Sequence, residues 1–313
     1  MSAERATATP GTSVRSGSPQ AWAVATRPRS LPVAISPVLV GATLGFERAG
    51  TVDLVAALLV LGAALLMQII TNMQNDVGYT VRGGDSSGTR TGLPRATANG
   101  WLRIGHVRAA IVLAACVAVV LGLALVAYRG WPVLAIGTAS LMAALAYMGG
   151  PRPIAYSPFG ELTVFVFFGL VAVPGTDWVL TGSIGVVSML AGVALGGLAA
   201  AALAVNNHRD IAHDRMVGRR TFAVVFGEGA SRGLYAGLLL GPYLLVPLMA
   251  LVAQSLALLL PLLLLPVALR LRRDFVDCPP GVAYNEILFR TFRLELWFAA
   301  LLSAGALMAR TLQ

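Results

Sequence analysis

The sequence predicts an all-α fold: a polytopic membrane helical bundle of about nine transmembrane helices with a parallel internal repeat. Three observations carry the prediction. Hydrophobic residues make up 57% of the 313 and charged residues 12%, far outside the soluble range. Apolar runs of about 20 residues, the length that spans a bilayer, recur along the chain. Two of those runs end in polar motifs of the same spacing.

In order, spans are predicted near 31–46, 54–75, 109–127, 131–148, 162–178, 183–205, 233–252, 255–270 and 288–309. The run from 233 to 269 is long enough for two passes, with Gln254 and Ser255 at the turn. The fifth segment, LTVFVFFGLVAVPGTDWVL, carries Pro174, Gly175 and Asp177, so eight or ten passes also fit. Ahead of the first span, residues 1–20 are polar and Ser/Thr-rich and lack the apolar core of a secretory signal. They read as a disordered cytoplasmic tail before a membrane domain over 21–313. Cys116 and Cys278 have no metal or redox spacing, and three histidines with no paired spacing build no cage.

Orientation follows from the arginines, since basic loops stay cytoplasmic. Arg48, Arg129 and Arg310 fall on one side of the predicted bundle and nearly all the others on the opposite side. This places the protein in the cytoplasmic membrane with its N-terminus and both polar motifs inside and its C-terminus outside. The net charge of +9 is accounted for by these loops and the lipid bilayer they face, without a nucleic-acid partner. Nothing in the sequence sets an oligomeric state.

The motifs carry the chemistry. The second span ends in NMQNDVGYTVRGGD, residues 72–85, and the sixth in NNHRDIAHD, residues 206–214. Asn72 and Asp76 are four apart, and Asn206 and Asp210 repeat that offset four spans later, so two parallel helices present like groups at one depth. Asp210 and Asp214 share a face if the helix continues, where like charges repel and sit badly at a helix C-terminus. A divalent cation reverses both effects, and Mg²⁺ suits hard oxygen ligands shared with phosphates. Arg82, Arg90 and Arg95 follow the first motif, and Arg215, Arg219 and Arg220 the second. Carboxylates, metal and arginines together describe a diphosphate site. Beneath an apolar bundle, its ligand has a charged head and a hydrocarbon tail, as polyprenyl diphosphate does.

With RPRSLP (27–32), VRGGD (81–85), TGLPRA (91–96) and GPRPIAYSPFGE (150–161), these motifs resemble the UbiA superfamily of intramembrane aromatic prenyltransferases. Within it they look most like the branch that prenylates 1,4-dihydroxy-2-naphthoate in menaquinone synthesis. The resemblance implies Mg²⁺ held by Asp76 and Asp85 on one side and Asp210 and Asp214 on the other, with Asp76, Asp210 and Asp214 essential to catalysis. It implies that Arg82, Arg215 and Arg219 bind the diphosphate and that Asn72, Asn75 and Asn206 orient its oxygens. Tyr147 would face the allylic carbocation, and Arg95 or Arg152 would hold the carboxylate of an aromatic ring acid. The chain departs from the family at Tyr79, where members generally have another Asp.

Other readings stay open at this stage. The acceptor could equally be 4-hydroxybenzoate or another phenolic ring. A transporter could share the repeat, although the span middles read as uncharged, where transporters place ionisable groups. Glu286, Arg290 and Arg293 lie on one face of the ninth span and either support the site or anchor at the interface.

Overall fold

The computed structural model describes residues 14–84 and 91–311, and every regular element among them is helical. In chain order these are α1 (Pro19–Thr26), α2 (Pro32–Ala49), α3 (Leu54–Val81), α4 (Ile104–Arg129), α5 (Trp131–Met148), α6 (Gly160–Val164) and α7 (Ala172–Thr181). There follow α8 (Val186–Arg209), α9 (Ile211–Met216), α10 (Phe222–Val252), α11 (Leu265–Asp277) and α12 (Tyr284–Thr311).

Among the described residues, seven helical segments are long and apolar enough to cross a membrane. The pair Pro19–Ser30 and Pro32–Ala49, bent by 43°, makes an eighth. The segment expected over 255–270 is a 3₁₀ stretch, Leu256–Leu264, running into α11. Pro261 and Pro266 interrupt its α-helical hydrogen bonding. The bundle thus agrees with about nine passes.

The fifth segment resolves as one crossing, Gly160–Thr181, interrupted by a π-helical turn at Phe165–Val171. Close packing marks this turn. A Cβ on Gly169 would lie 2.4 Å from the Gly192 carbonyl oxygen and 2.6 Å from Gly196 Cα, so glycines on both sides let this segment approach α8. The central helix is α8, whose apolar window is 67% buried, against 17% in α3 and α5.

The first and last crossings zip together in parallel. Arg29 lies over the Phe289 ring at 5.1 Å, Thr43 Oγ1 donates to Ser303 Oγ at 3.1 Å, and Gly50 abuts Arg310. All three pairs are 260 residues apart. At the Arg310 end, Arg48 donates to Asp177 at 2.8 Å and Arg129 to the Trp178 carbonyl at 3.0 Å. The three arginines expected apart from the rest therefore gather at the end where α3 begins, roughly 40 Å from where it finishes.

Asp177 is fully buried and satisfied, accepting also from Ser188 Oγ at 2.6 Å and the Gly185 amide at 2.9 Å. It closes the α7–α8 corner.

Three expectations change. The span middles are not free of carboxylates, because Glu295 lies fully buried within α12. Arg293 pairs with Glu286 at 3.1 Å with both side chains more than 60% exposed, and Arg290 reaches Asp274 of α11, so this face is an outer anchor and not support for the interior. Of the tail expected over 1–20, residues 1–13 lie outside the described residues, while the Gly17 amide donates to the Trp101 carbonyl and α1 begins at Pro19.

Replacing Asp177 with Ala strips the Arg48, Ser188 and Gly185 donors of their acceptor. It should destabilise the protein by about 2–3 kcal/mol, seen as a lower thermal midpoint in detergent with no change in substrate affinity.

Candidate active site

The helix of the first motif does not stop at the membrane boundary. It continues to Val81, so NMQNDVGYTV is helical, because distant segments satisfy its polar side chains. Asn72 Nδ2 donates to the Thr26 carbonyl at 2.8 Å and to Ser30 Oγ at 3.0 Å, tying α3 to the bend between α1 and α2. Asp76, with no solvent exposure, accepts from the amides of Ala96 at 2.8 Å and Thr97 at 2.9 Å and from the Thr97 hydroxyl at 2.5 Å. This carboxylate folds the TGLPRA segment onto α3.

That turn delivers Arg95. Its Nη1 donates to the Asn75 carbonyl at 2.8 Å, and its guanidinium stacks 3.5 Å from the Tyr79 ring centre. Arg82 donates to the carbonyls of Met148 at 2.7 Å and Gly150 at 2.5 Å, holding the turn after α5.

The second motif bends. Helix α8 ends at Arg209, Asp210 takes φ −96° and ψ 10°, and α9 resumes. The Asp214 amide still donates to the Asp210 carbonyl at 2.7 Å across the break, keeping the two carboxylates one turn apart. Their partners differ. Asp210 receives both Nε and Nη2 of Arg209, at 2.8 and 2.7 Å, and Arg209 Nη1 reaches Asn285 at the start of α12. Asp214, fully buried, accepts from Arg219 Nη1 at 2.6 Å, while Arg219 Nε and Nη2 both donate to the Ala155 carbonyl. Gly218, at φ +74°, makes the tight turn that brings Arg219 back.

The two motifs meet at Tyr79. Its hydroxyl accepts from Arg219 and lies 3.5 Å from Asp214 Oδ1. Burial pulls the Arg219 guanidinium down to about 9, which leaves it charged at neutral pH. Beside the motifs, His208 packs against Phe275 and Tyr284 at 4.8 and 5.3 Å and shares a hydrogen bond with Ser231, fixing the end of α8 among α10, α11 and α12.

Next to this cluster, a chamber of about 590 Å³ runs into the bundle, within the usual range for ligand sites. Its polar end carries Arg27, Ser30, Gln68, Asn72, Asn75 and Asn206, and its apolar walls include Met67, Leu134, Phe167, Phe168, Leu288 and Phe292. Tyr147 also lines it.

The structure therefore brings together Asn72, Asn75, Tyr147 and Asn206 at the chamber, and Arg95, Asp214 and Arg219 around Tyr79, with Arg82 beside Tyr156. Arg152 and Arg215 are exposed and do not line the chamber. Asp85, expected as a metal ligand, lies outside the described residues. Sequence reasoning gave no role to Arg27, whose left-handed backbone (φ 52°) ends α1 where its side chain reaches the chamber. It also left out Glu161, which accepts from Asn207 at 2.8 Å and braces α6 on α8.

Among the described residues no group of three His, Cys, Asp or Glu side chains is placed to hold a metal ion. Asp210 and Asp214 nonetheless supply hard oxygens one turn apart. That suits Mg²⁺, which binds through one or two carboxylates and completes its shell with phosphate and water. Asp76, already accepting three hydrogen bonds, fits the same role less well.

An apolar chamber within a membrane bundle, with asparagines of both motifs at its polar end and the motifs' carboxylates and guanidiniums gathered behind Tyr147, defines an intramembrane enzyme for a lipid-tailed anion. The chain belongs to the UbiA prenyltransferase family, which it matches over residues 34–309. It is 33% identical to the 1,4-dihydroxy-2-naphthoate octaprenyltransferase of Escherichia coli (strain K12), over 93% of this chain and 96% of that one. It is 35% identical to the enzyme of the same name from Mycobacterium tuberculosis, over 70% of this chain and 74% of that one. A UbiA homolog from Archaeoglobus fulgidus, solved bound to DMAPP and Mg²⁺, shares the fold at a TM-score of 0.65 and 14% identity, covering 93% of this chain and 99% of that one.

Changing Asp76 to Ala leaves the Ala96 and Thr97 amides without their acceptor. Hydrogen exchange at those two amides should then quicken by roughly tenfold or more, with the α8 core unchanged; unaltered protection would show that the loop is held by something else.

Proposed function

We propose that the protein transfers a polyprenyl group from polyprenyl diphosphate to 1,4-dihydroxy-2-naphthoate, with loss of the ring carboxylate as CO₂, giving demethylmenaquinol, the reduced form of demethylmenaquinone, and diphosphate. The observation that carries the reading is the Asp214–Arg219–Tyr79 cluster lying beside an apolar chamber, with Tyr79 packed in one cluster with Tyr147, which lines that chamber. The names of the relatives support the acceptor.

In this reading Asp210 and Asp214 are the carboxylates that hold Mg²⁺, with Asp76 and Asp85 as further candidates. When bound, the metal neutralises charge on the diphosphate as the allylic C–O bond ionises. Arg219 and Arg82 share the phosphate oxygens, and Asn72, Asn75 and Asn206 orient the head at the chamber mouth. The apolar walls hold the prenyl tail and exclude water that would quench the cation, and Tyr147 offers it an aromatic face. The carboxylate of the ring acid goes to Arg27, which reaches the chamber, since Arg152 is exposed and Arg95 is stacked on Tyr79. The arginine distribution supports a site on the cytoplasmic side of the cytoplasmic membrane.

Purified protein with Mg²⁺, a polyprenyl diphosphate and separate ring acids should yield prenylated naphthoquinol by mass; product from 4-hydroxybenzoate alone would replace the acceptor. Asp210→Ala and Asp214→Ala should each lower turnover by at least about 10²-fold while eluting as folded protein. Arg27→Ala should raise the KM of the ring acid about tenfold and leave that of the prenyl diphosphate unchanged; the reverse pattern would move Arg27 to the diphosphate.

A further inference from the structure

Five side chains from four separate segments alternate guanidinium and ring. Arg95 lies 3.5 Å from the Tyr79 ring centre and Arg219 4.9 Å from the same ring. Arg219 also lies 5.7 Å from the Tyr156 ring, and Arg82 is 5.7 Å from that ring in turn. Tyr79 and Arg82 come from α3, Arg95 from the TGLPRA segment, Tyr156 from the loop after α5, and Arg219 from the turn after α9. Each guanidinium is fixed independently by backbone carbonyls: Asn75 for Arg95, Ala155 for Arg219, Met148 and Gly150 for Arg82.

Asp214 offsets part of this charge through Arg219, and the like charges held this close still repel one another. Ring faces between them lower that repulsion, because the quadrupole of each ring attracts the cation beside it. Aliphatic side chains of equal volume would pack as well but leave the repulsion in place. A fold that gathers three guanidiniums around two rings packed against Tyr147, a chamber-lining residue, has built a receptor for an anion with several oxygens.

We propose that Tyr79 and Tyr156 are positioning residues for this Arg95–Tyr79–Arg219–Tyr156–Arg82 array, and that the array takes the diphosphate of the prenyl donor. The inference rests on the prenyl diphosphate reading above and deepens it. The rings touch no reacting atom; they set how near three cations stand to one another. Arg95 thereby joins the diphosphate site instead of the acceptor site.

The test is the affinity of the full-length protein in nanodiscs, with Mg²⁺, for a non-reacting prenyl thiolodiphosphate, measured across a NaCl series. Tyr79→Leu and Tyr156→Leu should each weaken binding by roughly tenfold and flatten the salt dependence, as organised cations are lost. Tyr79→Phe and Tyr156→Phe should recover most of both. The KM of the ring acid should stay unchanged in all four. Tyr156 is only half-buried, so its Leu variant keeps the test available if Tyr79→Leu fails to fold. Leu variants that bind with wild-type affinity and salt slope overturn the proposal, as do Phe and Leu variants that lose affinity equally. Absence of binding by the wild-type protein overturns the diphosphate reading with it, a result distinct from either.

Discussion

The site depends on one buried ion pair. Arg219 and Asp214, 2.6 Å apart and almost wholly removed from solvent, would each be expensive to bury alone, by several kcal/mol per ion. Each is tolerable only when its remaining hydrogen bonds are also made. Arg219 therefore requires the Ala155 carbonyl, which requires the loop after α5, and it packs against Tyr79, which requires α3 to stay helical as far as Val81. The pair binds these segments into a unit that forms completely or not at all.

Much of this was legible in the sequence. Composition and run length gave the membrane bundle, and the repeated Asn-to-Asp offset directed attention to the ends of α3 and α8. The offset could not show what each carboxylate does. Asp76 is matched by amides 20 and 21 residues away, Asp210 by its own neighbour, and Asp214 by an arginine beyond a glycine turn. Those differences arise from tertiary folding, and spacing along one helix carries no trace of them. Tyr79 was visible only as a departure from the family pattern. Its ring acts through faces that become defined once three distant loops have docked.

Elsewhere the local pattern misled for identifiable reasons. Glu286, Arg290 and Arg293 do share a helical face, but periodicity cannot say which face looks inward, and partners on α11 and within α12 itself keep these charges outside. The π turn at 165–171 has no compositional signature beyond Gly169, and its cause lies on α8. Arg27 reads as one more interfacial arginine until its left-handed backbone is seen to end α1 beside the chamber.

The parallel pairing of α2 with α12 bears on how the protein is made. Val33, Ala34 and Val38 of the first long helix and Leu288 and Phe292 of the last both wall the chamber. During synthesis the earlier helices must therefore wait in the bilayer with that seam open to lipid. The pocket comes into being only when α12 docks against α2, after every helix between them has been made, so catalytic competence is acquired late in synthesis.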